Sequence, residues 1–345
     1  IHRAYVQRQV ETRGLSVKPL DPDPRVVLVP GLGLIGVGAT AKAAAIAADL
    51  YEHTIDVIDA AEAIDRYEVL SEADLFDLEY WSLEQAKLGK GKPKPLEGRV
   101  VYISGAARGI GAATASAFAR EGAALYLVDR EADALAAVAK RLGAAYEAFD
   151  ITDEAAVQAS VDRCVRRFGG LDGCISNAGT APQSTMRACE PSFLRASFDI
   201  NFFSHQWLAA AVTRVLRAQG RGGFVTFNAS KSAFNPGAEL GPYAIAKSAV
   251  IALMKQYALE EGSAQIRVNA VNADRVRTGL LDQDDVARRA RARGLELDAY
   301  YQSNLLGREV TAEHVADAFV FLAHASSTTA SVLTVDGGNI AASPR

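Results

Sequence analysis

The sequence predicts a doubly wound α/β protein on a parallel sheet, preceded by a small N-terminal α/β extension. Three observations lead there. From about residue 98 onward, short apolar runs alternate with stretches of helical length, a pattern that gives parallel strands with crossover helices on both faces. A glycine-rich turn follows the first of those runs, and an acidic residue ends the second. A stretch rich in lysine, proline and glycine separates this region from the residues before it.

The alternation opens with a strand at Val100–Ser104 and a helix at Gly109–Glu121. The strand Ala124–Val128, the helix Glu131–Leu142 and a strand near Ala145–Phe149 follow. Next come a helix across Glu154–Phe168, the strand Gly173–Ser176 and one long helix around Phe193–Gln219. The strand Gly223–Asn228, a helix from Pro242 to about Glu261 and the strand Ile266–Asn272 continue the series. A helix at Ala312–Ala323 and the strand Ser331–Val335 close it.

The N-terminal residues carry less. A polar helix-like stretch (Ile1–Arg13), one apolar strand (Val26–Pro30), an Ala-rich helix (Ala39–Ala60) and a helix-like segment (Ser71–Lys87) are too little for a conventional enzyme domain. Lys87–Gly98 holds four lysines, two prolines and three glycines in twelve residues, the composition of an exposed linker. The expected division is therefore 1–86, a linker at 87–98, and a main domain at 99–345.

Composition excludes several classes. A net charge of −4 gives no sign of a nucleic-acid surface. No apolar run approaches the ~18 residues that span a bilayer, so no membrane partner is expected. Cys164, Cys174 and Cys189 are odd in number and lack C-x-x-C spacing; they read as small apolar residues in a reducing cytoplasm. The chain opens on Ile1 rather than Met with no signal peptide, which leaves a start within a longer protein as one open reading.

Two loops compete as phosphate cradles. Gly31-Leu-Gly33-Leu-Ile-Gly36 is a literal G-x-G-x-x-G, and Ser104-Gly105-Ala-Ala-Arg108-Gly109-Ile110-Gly111 is a variant of it. A cradle needs a tight turn, close backbone approach and a helix N-terminus. It also needs a second strand ending in an acidic residue for the adenosine ribose. Only the second loop has one, at Asp129. The first loop reads instead as a turn packing a helix against a strand. Asp129 also selects NAD, because its carboxylate accepts ribose hydroxyls and repels a 2′-phosphate. Arg108 and Arg130 are the nearby cations within reach of a phosphate.

Tyr243-Ala-Ile-Ala-Lys247 places a phenol and an ammonium on one face of a helix start. A free tyrosine, pKa about 10, is a poor base at neutral pH. A neighbouring ammonium and an oxidised nicotinamide both favour the phenolate. In a chain with 11 Tyr the pair alone is close to a chance match. Its force comes from Ser230 thirteen residues earlier at a strand end, Asn201 in the preceding helix, and Asn177-Ala178-Gly179 after the fourth strand.

These residues resemble the short-chain dehydrogenase/reductase superfamily over Gly98–Arg345. SGAARGIG is similar to the TGxxxGxG loop, with Ser104 for Thr; SNAG is similar to NNAG, and YAIAK to YxxxK. Phe149-Asp150-Ile151 resembles the adenine-contacting segment, and IRVNAV and VDGG match further family signatures. The resemblance implies a Rossmann-like fold and an NAD-dependent enzyme that passes hydride between the cofactor and a small alcohol or aldehyde. It makes Tyr243 the acid/base and Ser230 the donor to the substrate oxygen. Lys247 becomes the ribose ligand that lowers the tyrosine pKa, and Asn201 the holder of a relay water. It assigns the cofactor to Ser104, Gly105, Arg108, Gly109, Ile110, Gly111, Asp129, Arg130, Asp150, Ile151, Asn177, Ala178, Gly179, Tyr243, Lys247, Val276 and Thr278. A small-molecule substrate and a homo-oligomer, dimer or tetramer, are implied as partners.

One departure stands out. Asn272-Ala273-Asp274-Arg275 occupies the place where the family usually has Pro-Gly. Asp274 and Arg275 read equally as substrate-facing or as a salt-bridged loop. The expected lid, Leu280–Leu306, includes four arginines between Arg288 and Arg293, read as a solvated helix face or as a phosphate or carboxylate clamp.

The N-terminal segment is similar to the join in bifunctional proteins of sugar catabolism, where a class II aldolase domain precedes the dehydrogenase. The rhamnulose-1-phosphate aldolase/lactaldehyde dehydrogenase proteins are the best-known example, and the resemblance implies lactaldehyde or a related sugar-derived compound as substrate. An aldolase needs a three-histidine zinc site, and residues 1–86 contain only His2 and His53. Two other readings are carried forward: a fragment whose lyase site lies upstream, and a vestigial NAD-binding regulatory protein.

Overall fold

The computed structural model describes residues 1–87, 92–280 and 282–339, so residues 88–91 of the expected linker lie outside the described residues. The chain divides into two compact units, 1–98 and 99–345.

In the first unit, α1 (His2–Arg13) leads to β1 (Val26–Val29) and β2 (Gly33–Gly36), which pair antiparallel. Then come α2 (Ala41–Ile64), α3 (Glu72–Glu79) and α4 (Ser82–Lys87), so the single helix expected over Ser71–Lys87 is two. The G-x-G-x-x-G of this unit is thus a hairpin turn and its returning strand, not a strand-to-helix cradle. Gly36 is required by close packing, since a Cβ there would stand 2.2 Å from the Ala44 carbonyl of α2. Tyr5, Val6, Phe76 and Tyr80 form a small apolar cluster between α1 and α3. His2 bonds Tyr80 Oη at 3.1 Å and His53 is exposed.

The second unit holds seven parallel strands. Its first half runs β3 (Val100–Ser104), α5 (Gly109–Arg120), β4 (Ala124–Asp129), α6 (Ala132–Leu142), β5 (Ala145–Ala148) and α7 (Glu154–Phe168). The chain then forms β6 (Gly173–Ser176), α8 (Pro191–Phe198), a π turn at Asp199–Phe203, α9 (Ser204–Gln219) and β7 (Gly223–Asn228). It ends with α10 (Gly241–Glu261), β8 (Ile266–Ala273), α11 (Gln283–Arg291), α12 (Leu297–Gln302), α13 (Ala312–His324) and β9 (Val332–Val335).

Strand order is β5-β4-β3-β6-β7-β8-β9. The chain therefore winds outward from β3 to one edge, returns to β6, and winds to the other edge. That reversal leaves a crevice beyond the carboxyl ends of β3 and β6. Tyr102, Cys174, Val225, Phe227 and Val268 are fully buried in the sheet core. Covered on both faces, the strands read as continuous apolar runs rather than alternating ones. The helix expected over Phe193–Gln219 is broken by the π turn, which carries Asn201. Among the described residues, no helix is long and apolar enough to cross a membrane.

Candidate active site

Three strand ends build the floor of the crevice. Ser104, at the end of β3 and fully buried, accepts backbone N–H bonds from Asn177 at 2.9 Å and Ala178 at 3.2 Å. Asn177 Nδ2 donates to the carbonyls of Ser104 and Gly105 at 3.0 and 3.1 Å. Asn228, ending β7, donates to Asn177 Oδ1 at 2.8 Å. The network locks the tips of β3, β6 and β7 in one register and fixes the loop that opens α5.

That loop leaves room for a ligand because it is glycine. Gly105 and Gly109 adopt φ of 65° and 51°, and a Cβ on Gly111 would stand 1.9 Å from the Gly105 carbonyl oxygen. The turn points the N-terminus of α5 into a cleft of about 300 Å³. Such a helix end, with free N–H groups and its positive dipole end, favours a pyrophosphate.

Most of the sequence-assigned cofactor residues line this cleft: Gly105, Arg108, Gly109, Ile110, Gly111, Asp129, Arg130, Asp150, Ile151, Asn177, Ala178, Gly179 and Thr278. Ser104 lies beneath it as a support. Asp129 ends β4 with its carboxylate fixed by the Ala107 and Glu131 N–H groups at 3.0 and 3.1 Å. Arg108 is turned to Glu131, 2.5 Å away, and so already has a carboxylate partner. Backbone and hydroxyl bonds from Thr152, with Arg130 nearby, hold the Asp150 carboxyl below its ordinary value.

A second cavity of about 150 Å³ adjoins the first, sharing Ile110, Asn228, Thr278, Gly279 and Leu280. Ser230, Tyr243 and Val276 lie on its wall. Asn201 and Lys247 are buried behind. The Asn201 side chain accepts from Thr180 N–H at 3.1 Å. Gly179 passes close beneath this pair, where a Cβ would meet Asn201 Oδ1 at 2.9 Å.

The electrostatics depart from the sequence expectation. Burial raises the Tyr243 phenol above its ordinary value, while hydrogen bonding with Ser230 draws it down. The Lys247 amine is 6.0 Å from the phenol ring centroid and is itself pushed down to about 7 by burial. Its hydrogen-bond partners are the Asn228 carbonyl at 2.9 Å and His205 Nε2 at 3.1 Å, neither of them an anion. Desolvation therefore outweighs the ammonium in the protein alone.

His205, Asn228 and Ser176 were not singled out from sequence. The one signal for His205 was its place four residues after Asn201, one turn along the same helical stretch. The Asp274–Arg275 loop is salt-bridged, and it borders a cavity as well. The two residues pair at 3.5 Å and also line the second cavity. Arg275 has φ of 51° and donates to the Tyr300 carbonyl at 3.0 Å, tying this loop to α12.

A glycine-cradled crevice opening onto a buried Tyr–Lys pair is the arrangement of an oxidoreductase. Comparison with known proteins agrees. Residues 105–339 match the family model described as enoyl-(acyl carrier protein) reductase, and residues 1–88 match that of the second domain of class II aldolases. An uncharacterized oxidoreductase of Bacillus subtilis is 31% identical over 340 residues, 93% of this chain; the chain spans about half (49%) of that relative's length. The (−)-isopiperitenol/(−)-carveol dehydrogenase of Mentha piperita is 34% identical, matching 71% of this chain and 94% of its own. The crystal structure of carveol dehydrogenase from Mycobacterium avium in complex with NAD superposes with a TM-score of 0.68 at 29% identity, covering 72% of this chain and 99% of that one. The chain belongs to the short-chain dehydrogenase/reductase superfamily.

Proposed function

We propose that residues 99–345 oxidise or reduce a small hydroxylated substrate with NAD, with Tyr243 moving the proton. The observation that carries this reading is the placement of Ser230 and Tyr243 on a cavity that opens directly into the glycine-cradled cleft. Bound NAD supplies the hydride acceptor and, when oxidised, a positive charge that favours the phenolate. Gly105–Gly111 would hold its pyrophosphate and Asp129 its adenosine ribose.

The chain's own residues do the rest. Ser230 hydrogen-bonds the substrate oxygen, and Tyr243 Oη takes its proton in oxidation and returns it in reduction. Lys247, held between the Asn228 carbonyl and His205, supplies the donor that keeps a ribose and the phenol in line. Asn201, its Oδ1 taken up by Thr180 N–H and its Nδ2 donating to Ser197 Oγ at 3.4 Å, has its second amide hydrogen left for a relay water. Val276 and Thr278 close the nicotinamide side. Residues 1–86 are read as the end of an aldolase domain joined by the linker 87–98; the match at 1–88 supports this.

Asp129 fixes the choice of NAD over NADP. Asp129→Ser should narrow the NAD preference in kcat/KM by about tenfold or more, the cost of one charge-assisted hydrogen bond. Steady-state kinetics with both cofactors test it. Equal use of NADP by the unaltered enzyme would overturn the assignment.

A further inference from the structure

Among the described residues, the second cavity is lined by five charged ones, and four of them are cations: Lys231, Arg275, Arg289 and Arg293 against Asp274. Arg275 and Asp274 are paired with each other, and Asn339 also donates to Asp274. Among the described residues, Lys231, Arg289 and Arg293 form no ion pair.

Arginines outside the cavity are treated differently. Arg288, next to Arg289 on α11, binds Glu239 at 2.6 Å and Asp285 at 2.9 Å. Arg277 binds Asp298 at 2.5 Å and Glu309 at 2.9 Å. Carboxylates are thus supplied to the exposed Arg288 and Arg277 guanidinium groups and withheld from the buried Arg289. For Arg289 this is the reverse of what stability alone requires, because a buried charge without a counter-ion is destabilising.

Arg289 is the sharpest case. It is 8% exposed, and its Nε is buried with no hydrogen-bond partner. Its position is nevertheless fixed, by donation to Gln183 Oε1 at 2.7 Å and the Ala238 carbonyl at 3.3 Å. Arg293 donates to the Arg289 carbonyl at 3.0 Å and lies over the Tyr300 ring, 5.5 Å from its centroid. Burial lowers the Lys231 amine; Arg275, Arg293 and Arg289 lower it further, against a pull upward from Asp274. The field in the cavity is therefore strongly positive, and Lys231 directly follows Ser230 in the chain.

We propose that the substrate bears a compact oxyanion, carboxylate or phosphate ester, bound by Lys231, Arg289 and Arg293, with its hydroxyl carbon turned to Ser230 and Tyr243. This rests on the reading of Tyr243 as the acid/base. A planar guanidinium pinned at one edge with a free N–H at the other suits an oxygen acceptor. The loop that would face a neutral substrate has no such need for three unpaired cations.

The test uses the full chain with NAD and matched sets of a neutral polyol, its aldonate and its polyol phosphate, three to six carbons long. The expected result is that one anionic class exceeds its neutral counterpart by about 100-fold in kcat/KM. Arg289→Met should cut that preference about 10- to 100-fold, and Arg289→Lys should retain part of it. With the unaltered enzyme, inorganic phosphate and acetate should compete with substrate, more weakly as ionic strength rises. The class that wins distinguishes carboxylate from phosphate. Neutral members turned over as well as the anionic ones overturn the anion site and leave the dehydrogenase reading standing. No NAD reduction with any member overturns both.

Discussion

The Lys247 amine lies 3.1 Å from His205 Nε2, and the opposite nitrogen of that imidazole lies 2.6 Å from Ser176 Oγ. All three groups are buried. Burial, with Lys247 close by, holds His205 well below its ordinary pKa, so the ring is neutral. With Nε2 accepting from the Lys247 ammonium, Nδ1 carries the hydrogen and donates to Ser176. The lysine is thus positioned from behind by a ring whose tautomer is fixed on its far side. His205→Leu should lower kcat about 10- to 100-fold, the cost of removing a hydrogen bond to a charged group, with a smaller loss for Ser176→Ala. A kcat unchanged in His205→Leu, measured by steady-state kinetics, would reduce His205 to packing.

Burial of Lys247 also leaves a mark on stability. Its amine is near 7 in the folded protein and 10.5 in its ordinary state. Between those values the unfolded chain holds a proton that the folded one does not, so this group makes stability rise with pH. Below about 7 the penalty for burying the charge is fully present. Thermal unfolding of the protein and of Lys247→Met should therefore converge or cross as pH rises from 7 to 9, the unaltered protein gaining relative to the variant. Parallel curves would mean that Lys247 remains fully charged in the fold.

The two glycine motifs make a matched pair for mutation. Gly111→Ala would drive a methyl against the Gly105 carbonyl, and Gly36→Ala would do the same against Ala44. Both should destabilise the unit that contains them by about 1–3 kcal/mol. NAD affinity, read by isothermal calorimetry, should be lost in Gly111→Ala and retained in Gly36→Ala. Loss in both would tie the first unit to the nucleotide site.

The strand–helix alternation was readable because a parallel sheet covered on both faces demands short apolar runs, and those runs are local in sequence. The crevice was legible in Gly105–Gly111 and Asp129 for the same reason. The hidden features depended on three-dimensional partners. The π turn around Asn201 is a shift in backbone pairing that leaves no compositional trace. In the Arg288–Arg293 run, a rotation of about 100° per residue separates paired, exposed Arg288 from buried Arg289, and sequence shows only that both are arginine. Likewise Gly31–Gly36 satisfies a phosphate-loop pattern while folding as a hairpin, because the pattern does not require a helix to start within it.

The central claim is that Tyr243 Oη moves the substrate proton while the cleft holds NAD independently of it. Tyr243→Phe removes one oxygen from a buried ring and leaves the glycine cradle and Asp129 untouched. With a substrate that the unaltered enzyme turns over, kcat should fall by about 10³-fold or more, while the NAD dissociation constant changes less than about threefold. Turnover persisting in Tyr243→Phe at near its original rate would contradict the account.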